Sequence, residues 1–300
     1  MRGARIVRWA GSSLMLLGFI ASAQAAEESV AITDQDRLIT NFQREAAVVN
    51  KGQLRLEVHG FTGNVERSQD GLQVILRGFP AGDNDRGERR DDVRRVSGGI
   101  LGLRGSYGLF KNTEVGFNLI AILQGLRFSN SPTENEMGFG DMSVYAKYKH
   151  QVDEHLGFAG GLEARLPTGE ENKRLGTGDI GINPFVSTRY TSGKWGVGAH
   201  LGYEFNEEAP EHAGVSRALD NVFNWSAEGL LRANSLFALR AEITGRHFDY
   251  GGARLDDVVA MPSIDYNYSN NITIRPFGLA GITDEALNWG LGLGVAMTFF

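Results

Sequence analysis

The sequence has 300 residues, with 40 glycines, 7 prolines, no cysteine and a formal net charge of −6. The acidic balance argues against a nucleic-acid-binding protein and against a basic membrane-surface binder. The lack of cysteine excludes a small disulfide-stapled fold, and the glycine content is nearly double the usual share of about 7%.

The first residues have the pattern of a secretory signal peptide. Arg2, Arg5 and Arg8 precede an apolar run at residues 14–20, and Ala23-Gln24-Ala25 offers a small-x-small cleavage site. The run is too short for a spanning helix, and no other stretch of about 18 apolar residues follows. We therefore predict export with cleavage after about Ala25, and we exclude an α-helical membrane protein.

Residues 26–51 form a separate N-terminal segment before the first predicted strand. Apolar side chains there have helix-like spacing: Leu38, Ile39, Phe42, Ala46 and Val49. Three interpretations stay open: a periplasmic helix, a segment that enters the following domain as a plug, and a terminus without fixed structure.

Residues 52–300 repeat a unit of about ten residues in which large apolar side chains alternate with small or polar ones, the period of a β-strand. This pattern predicts twelve strands, at residues 54–67, 93–107, 115–123, 141–149, 156–166, 180–190, 197–205, 223–231, 237–243, 260–268, 272–282 and 289–300. An even count near twelve is typical of a single-chain transmembrane barrel.

The connections between these strands alternate in length. Longer polar connections are predicted at residues 68–92, 129–138, 167–179, 206–220, 249–257 and 283–288. Short periplasmic turns and long extracellular loops give this asymmetry in outer-membrane barrels. The apolar run at residues 72–79 is interpreted as a hairpin above the membrane; if it spans, the strand count changes.

The last strand ends on an aromatic pair. It resembles the C-terminal signature of bacterial outer-membrane barrels, with Gly294, Met297 and Phe299 at the glycine, apolar and aromatic positions, Trp289 at its start and Phe300 as one extra residue. The resemblance implies a strand that closes the barrel and is read by the barrel assembly machinery.

We predict an all-β fold, a transmembrane antiparallel up-and-down β-barrel in contact with outer-membrane lipid and lipopolysaccharide. A soluble β-sandwich would show the same alternation.

If the apolar face meets lipid, the opposite face lines the lumen. Charges of both signs share that face, and we predict that they pair across strands because an unpaired charge in a confined interior is unfavourable. The candidate lumen-lining residues are Glu163, Arg165, Arg189, His200, Glu204, Glu228, Arg232, Arg240, Glu242 and Arg275. A polar conduit and a salt-bridged filling both stay open, because twelve strands lie between filled small barrels and open porins.

Short glycine-rich motifs spread over most of the predicted barrel carry a family resemblance. They are Lys51-Gly52, Tyr107-Gly108-Leu109 with Glu114, Gly138-Phe139-Gly140-Asp141 with Lys147-Tyr148, and Leu166-Pro167-Thr168-Gly169 with Gly176-Thr177-Gly178-Asp179. With these motifs the sequence resembles the outer-membrane transporter family of the MetA pathway of phenol degradation. The resemblance implies a barrel that passes or binds a small molecule, an aromatic compound being one candidate.

Signals for catalysis, a cofactor or a metal are weak. Residues 176–181 fit GxGxxG but precede a strand instead of a helix. Glu170, Glu171 and Asp179 could bind calcium, although surface carboxylates are commonly just solvated. His247 with Asp249 is the best candidate for a catalytic base, without a nucleophile motif nearby.

We predict passive uptake by a non-enzyme without cofactor or metal; the alternatives are a structural or surface-interaction barrel with a filled lumen, and a barrel hydrolase.

Overall fold

The computed structural model describes residues 46–66, 93–128, 134–170, 180–206, 221–250, 253–283 and 286–299. These residues form thirteen strands: β1 (Leu54–Glu66), β2 (Val93–Phe110), β3 (Thr113–Phe128), β4 (Glu134–Phe139), β5 (Met142–Gln151), β6 (Leu156–Leu166), β7 (Gly181–Ser192), β8 (Trp195–Asn206), β9 (Val222–Arg232), β10 (Phe237–Tyr250), β11 (Ala253–Ser269), β12 (Ile272–Gly281) and β13 (Trp289–Phe299). Among the described residues, no helix has the length and apolar character needed to cross a bilayer.

The strands form one closed antiparallel sheet. Neighbours in sequence pair with each other except β4 and β5, and β13 pairs with β1 from Leu54–Phe299 to Asn64–Trp289. Both β4 and β5 pair with β3, one after the other along the same edge. They therefore share one position in the ring, and the described part of the chain forms the predicted twelve-stranded barrel.

The outer face of the barrel wall exposes apolar side chains and the inner face buries charged ones, as a membrane barrel requires. On β2, the outward Leu101 is 56% exposed, whereas Arg104 at the opposite parity is 3% exposed. A soluble β-sandwich would bury its apolar face and expose its charges. The reversed arrangement excludes that alternative and turns the apolar side chains toward lipid.

Aromatic side chains gather on the outer face near both ends of the barrel. Near the short turns lie Tyr107, Tyr190, Trp195, Phe237, Tyr268 and Phe299, and near the long connections lie Phe139, Tyr203, Phe205, Phe223 and Trp289. On β8, Trp195 and Tyr203 are about 26 Å apart at about 3.3 Å per residue. A strand tilt of about 40° reduces this to about 20 Å along the membrane normal, close to the apolar band between two aromatic girdles.

Two predicted loops are shorter in the structure. Residues 134–138, expected within a loop, belong to β4 on β3, and the expected loop at residues 249–257 is a hairpin in which Tyr250 of β10 pairs with Ala253 of β11. Backbone pairing continues beyond the hydrocarbon, where apolar alternation is no longer required. The apolar run at residues 72–79, residues 1–45 and Phe300 lie outside the described residues.

We expect a charge on the outer face to destabilise the barrel according to its depth in the membrane. Leu201 lies in the middle of β8 and Leu236 in a short turn, with nearly equal exposed fractions of 50% and 49%. Leu201→Arg should lower the free energy of unfolding by about 2–4 kcal/mol, and Leu236→Arg by about 0–1 kcal/mol. Urea titration of the protein refolded in lipid vesicles measures both; equal effects would contradict the assigned membrane face.

Candidate functional site

Four charged side chains on adjacent strands form the β9–β12 cluster: Glu228, Arg240, Asp265 and Arg275. Arg240 binds Glu228 through Nη1, and its Nη2 lies 3.4 Å from Asp265 Oδ2. Arg275 donates to both Asp265 oxygens, from Nε to Oδ1 and from Nη2 to Oδ2 at 3.1 Å. The side chains of Arg240 and Asp265 are 0% exposed. Arg240, Asp265 and Arg275 are thus sealed from water, whereas the Glu228 side chain is 11% exposed, and the cluster holds four strands together.

A second group, the Arg165 cluster, lies near the end with the long connections. Arg165 donates from Nε to Glu204 Oε1 at 3.0 Å and from Nη2 to Asn206 Oδ1 at 2.7 Å, and its Nη1 lies 3.2 Å from Asp141 Oδ2. Glu163 on the same strand accepts a hydrogen bond from Asn183 Nδ2 at 3.4 Å. The side chains of Arg165 and Glu204 are 19% and 15% exposed, so these charges meet water inside the barrel.

A third group, the Glu114 cluster, lies near the short turns. Tyr145 Oη donates to Glu114 Oε1 at 2.7 Å, and Lys147 Nζ lies 3.6 Å from the same oxygen. Arg104 Nη2 donates to Tyr145 Oη at 2.7 Å and lies 3.4 Å from Glu114 Oε1. All four side chains are buried. The carboxylate is therefore balanced by two cations, which is what burial of a charge requires.

The remaining candidates, His200, Arg189, Glu242 and Arg232, also face inward. His200 shares hydrogen bonds with Ser187 Oγ at 3.0 Å and Asn224 Oδ1 at 3.2 Å. Arg189 and Glu242 are buried. Arg232 is half-buried near the short turns. The inner face thus gathers the predicted residues in groups, and their role as the lining of a solute path stays a prediction.

Apolar side chains from β12, the connection before β13, β1, β2 and β3 cover part of the inner face. Phe61 lies opposite Ile100, and Ile100 lies opposite Ile122, so the three share this face. An added Cβ on Gly290 would meet the Cδ1 atoms of Leu279 and Leu287 at 3.2 Å and 3.1 Å. The apolar wall, as we name this surface, consists of Phe61, Ile100, Ile120, Ile122, Phe277, Leu279, Ala286 and Leu287.

The sequence prediction omitted inner residues on which these groups depend. Asp265, Glu114 and Asp141 were not among the candidate lining residues, although each pairs with an arginine of its cluster. Each of them lies at an inward position in the alternation of inward and outward side chains along its strand, and that alternation could have identified it. The apolar wall carries no such signal, because an apolar side chain on an alternating strand suggests the lipid face.

The structure corrects the candidate catalytic base. His247 faces outward, and its partner is Asp256, with 2.6 Å between Nδ1 and Oδ1. The side chain of Asp249 lies outside the described part of the chain. Trp225 Nε1 donates to His247 Nε2 at 2.9 Å, so the second ring nitrogen is also engaged. With Trp225 donating to Nε2, Nδ1 is the nitrogen that carries the proton donated to Asp256.

Comparisons with known proteins identify both a family and a fold. The family described as "Putative MetA-pathway of phenol degradation" matches residues 88–299. The structure is similar to the COG4313 outer membrane channel from Pseudomonas putida F1 at 13% identity and a TM-score of 0.66, over 87% of this chain and 100% of that one. No curated protein sequence matches the chain. The shared barrel is that of an outer-membrane channel, which supports outer-membrane localisation.

Two further solved structures have lower TM-scores. The NanC porin has 14% identity and a TM-score of 0.49 over 81% of this chain and 98% of that one. The translocator domain of the autotransporter NalP from Neisseria meningitidis has 12% identity and a TM-score of 0.49 over 97% of each chain.

Removing the shared carboxylate of the β9–β12 cluster should destabilise the barrel. Asp265→Asn leaves two buried guanidinium groups short of a negative charge, and we expect the free energy of unfolding to fall by about 3–5 kcal/mol. Asp265→Asn combined with Arg275→Met should recover part of the loss, since one uncompensated cation is removed. Asp153→Asn makes the same chemical change in an exposed turn and should have little effect. Denaturant titration of the variants in lipid vesicles measures these changes in the free energy of unfolding. Equal losses for Asp153→Asn and Asp265→Asn would refute the structural role assigned to the β9–β12 cluster.

Proposed function

The chain belongs to the family of the MetA pathway of phenol degradation, and we propose that it is an outer-membrane channel for passive uptake of a small molecule. The observation that supports this function is the inward polar face of a closed barrel, with water-exposed charges such as Arg165 and Glu204. Such a face offers polar solutes a route across hydrocarbon. The concentration gradient of the solute supplies the driving force.

We infer the solute class from the chemistry of the inner face. The apolar wall occupies β12, the connection before β13 and β1–β3, and the Arg165 cluster occupies β6, β8 and the start of β5 on another side of the ring. This arrangement suits a solute with one apolar face and a group that forms hydrogen bonds or carries charge. A single aromatic ring with a polar substituent has both, in agreement with the pathway in the family description.

The buried residues of the β9–β12 cluster, Arg240, Asp265 and Arg275, favour a second candidate, a structural barrel with a filled lumen, because side chains that water does not reach cannot line an open path. The two candidates differ in conductance. A hydrolase receives no comparable support, since His247 lies on the outer face with both ring nitrogens engaged.

We also propose the route by which the chain reaches the membrane. The signal peptide is cleaved after about Ala25, and the barrel assembly machinery reads β13, with Phe299 outward at its end. Gly294, Met297 and Phe300 complete the predicted signal. N-terminal sequencing of the mature protein tests the cleavage position.

Neutralising Arg165 should shift the ion selectivity of the channel. Arg165→Gln leaves Asp141 and Glu204 without their shared cation, so cations are favoured. A unit charge at 4 Å contributes about 1 kcal/mol in water, and we expect the K⁺-to-Cl⁻ permeability ratio to rise about five-fold. Lys194→Gln, the same charge change in an exposed turn, is the control. Reversal potentials in planar bilayers measure both, and an unchanged ratio in a folded Arg165→Gln barrel would remove this residue from the solute path.

The proposed solute class predicts a difference between two sulfonates of equal charge. Benzenesulfonate should interrupt the ion current through single channels more often than methanesulfonate, because its ring can contact the apolar wall. Ile100→Thr should reduce that difference, since it places a hydroxyl on the wall, whereas Leu101→Thr on the outer face should leave it unchanged. Equal block by both anions would overturn the solute class. A folded protein without any current would favour the filled barrel.

A further inference from the structure

Glu163, on the inner face of β6, has only neutral partners in the described part of the chain. Ser143 Oγ donates to its Oε1 at 2.5 Å, and Asn118 Nδ2 donates to the same oxygen at 3.5 Å. Asn183 Nδ2 donates to Oε2 at 3.4 Å. In the three clusters, by contrast, the carboxylates pair with arginine. Neutral donors solvate a carboxylate without cancelling its charge, so Glu163 departs from the predicted pairing of charges across strands.

A directed chain of amides holds the Oε2 side of this carboxylate. Asn224 Nδ2 donates to Asn183 Oδ1 at 3.3 Å, and Asn183 Nδ2 donates in turn to Glu163. Gly202 on β8 lies between the two asparagines, where an added Cβ would lie 2.6 Å from Asn224 Oδ1 and 2.8 Å from Asn183 Oδ1. The missing side chain lets the amides meet. Hydrogen bonds in such a chain polarise one another, so the carboxylate is held in place by dipoles that carry no net charge.

The Glu163 carboxylate has room for a further donor. An ionised carboxylate has about four lone-pair sites, and the described residues supply three donors. Glu163 is half-buried, close to the end of β6 at Leu166. Arg165, on the same strand, directs its guanidinium group to Asp141 and Glu204. A cation that enters the lumen can therefore reach Glu163 and complete its hydrogen bonding.

The apolar wall begins beside this carboxylate. Asn118, which donates to Glu163, and Ile120, which belongs to the wall, occupy successive inward positions on β3. Successive inward positions on one strand are about 7 Å apart. A solute with the size of one aromatic ring and a short side arm can therefore contact Ile120 and Glu163 at the same time.

From this arrangement we propose that Glu163 binds the positively charged group of the solute, a primary ammonium whose apolar body lies on the apolar wall. The inference rests on the proposed channel function and adds the charge of the solute's polar group. An ammonium donates a charge-assisted hydrogen bond to the carboxylate and supplies the positive charge that the neutral partners lack. The site thereby favours an amine over a neutral molecule of the same shape.

Two probes of the same shape test the role of charge. Benzylammonium and benzyl alcohol share a ring and a side arm, and an alkylammonium is charged at pH 7, as lysine is. In calorimetric titration of the full mature chain in nonionic detergent, with protein-free micelles as the blank, benzylammonium should bind about ten-fold more tightly. Methylammonium should bind about ten-fold more weakly than benzylammonium, because it has no ring to bury on the wall. Equal affinity for benzylammonium and benzyl alcohol, or for the two ammonium ions, would overturn the proposal.

One substitution removes the charge of Glu163 and retains its shape. Glu163→Gln should weaken the binding of benzylammonium about ten-fold and leave the affinity for benzyl alcohol unchanged. Glu154→Gln is the matched control, the same change at a side chain that is 82% exposed. Equal affinity for benzylammonium in Glu163→Gln and the wild type would overturn the assignment of Glu163. If Glu163→Gln fails to fold, the comparison of the two probes on the wild type still tests the proposal.

Single-channel recordings distinguish failure of this site from failure of the channel. Benzylammonium should interrupt the current through the wild type more often than the current through Glu163→Gln. Interruption at equal frequency in both would overturn the site and leave the channel function standing. Calorimetric binding that depends on Glu163, in a folded protein that carries no current, would support the site and overturn the channel function on which its role in uptake rests.

Discussion

The structure depends on one constraint: hydrocarbon offers no hydrogen-bond partner to a backbone N–H or C=O group. An open sheet edge in lipid would leave groups unsatisfied, each at several kcal/mol, so the first and last strands must meet. The ladder from Leu54–Phe299 to Asn64–Trp289 meets this requirement. Once the ring is closed and its apolar side chains face lipid, the alternate positions of every strand point into one confined space.

That space has to accommodate charge. Arginine and carboxylate groups that face each other across a narrow interior must pair, because removing an ion from water without a partner is strongly unfavourable. The pairs divide by exposure. Arg240, Asp265 and Arg275 are almost without contact to solvent and hold β9–β12 together. Arg165 and Glu204 are paired and remain partly exposed to water. In the proposed channel their charges can therefore act on a passing solute.

The sequence predicted the strands well where hydrocarbon imposes the alternation. The segment 156–166 coincides with β6. Prediction failed where this constraint ends: Glu134, Asn135 and Glu136 begin β4 without an apolar pattern, because the backbone of β3 pairs with them outside the lipid. The alternation of inward and outward side chains along β11 can be read from the sequence, and it could have added Asp265 to the candidate site. The Val49–Glu114 contact joins residues 65 positions apart, and such a contact between a backbone donor and a distant side chain leaves no local signature.

The composition of the Glu114 cluster explains why a buried carboxylate is tolerated there. Two cations, Arg104 and Lys147, lie within 4 Å of it, and the Val49 N–H adds a dipole and no charge. If the hydrogen bond from Val49 is broken, Glu114 keeps both ionic partners, and its freed oxygen can accept a hydrogen bond from water. Losing that bond therefore exposes no uncompensated ion, in contrast to breaking the β9–β12 cluster.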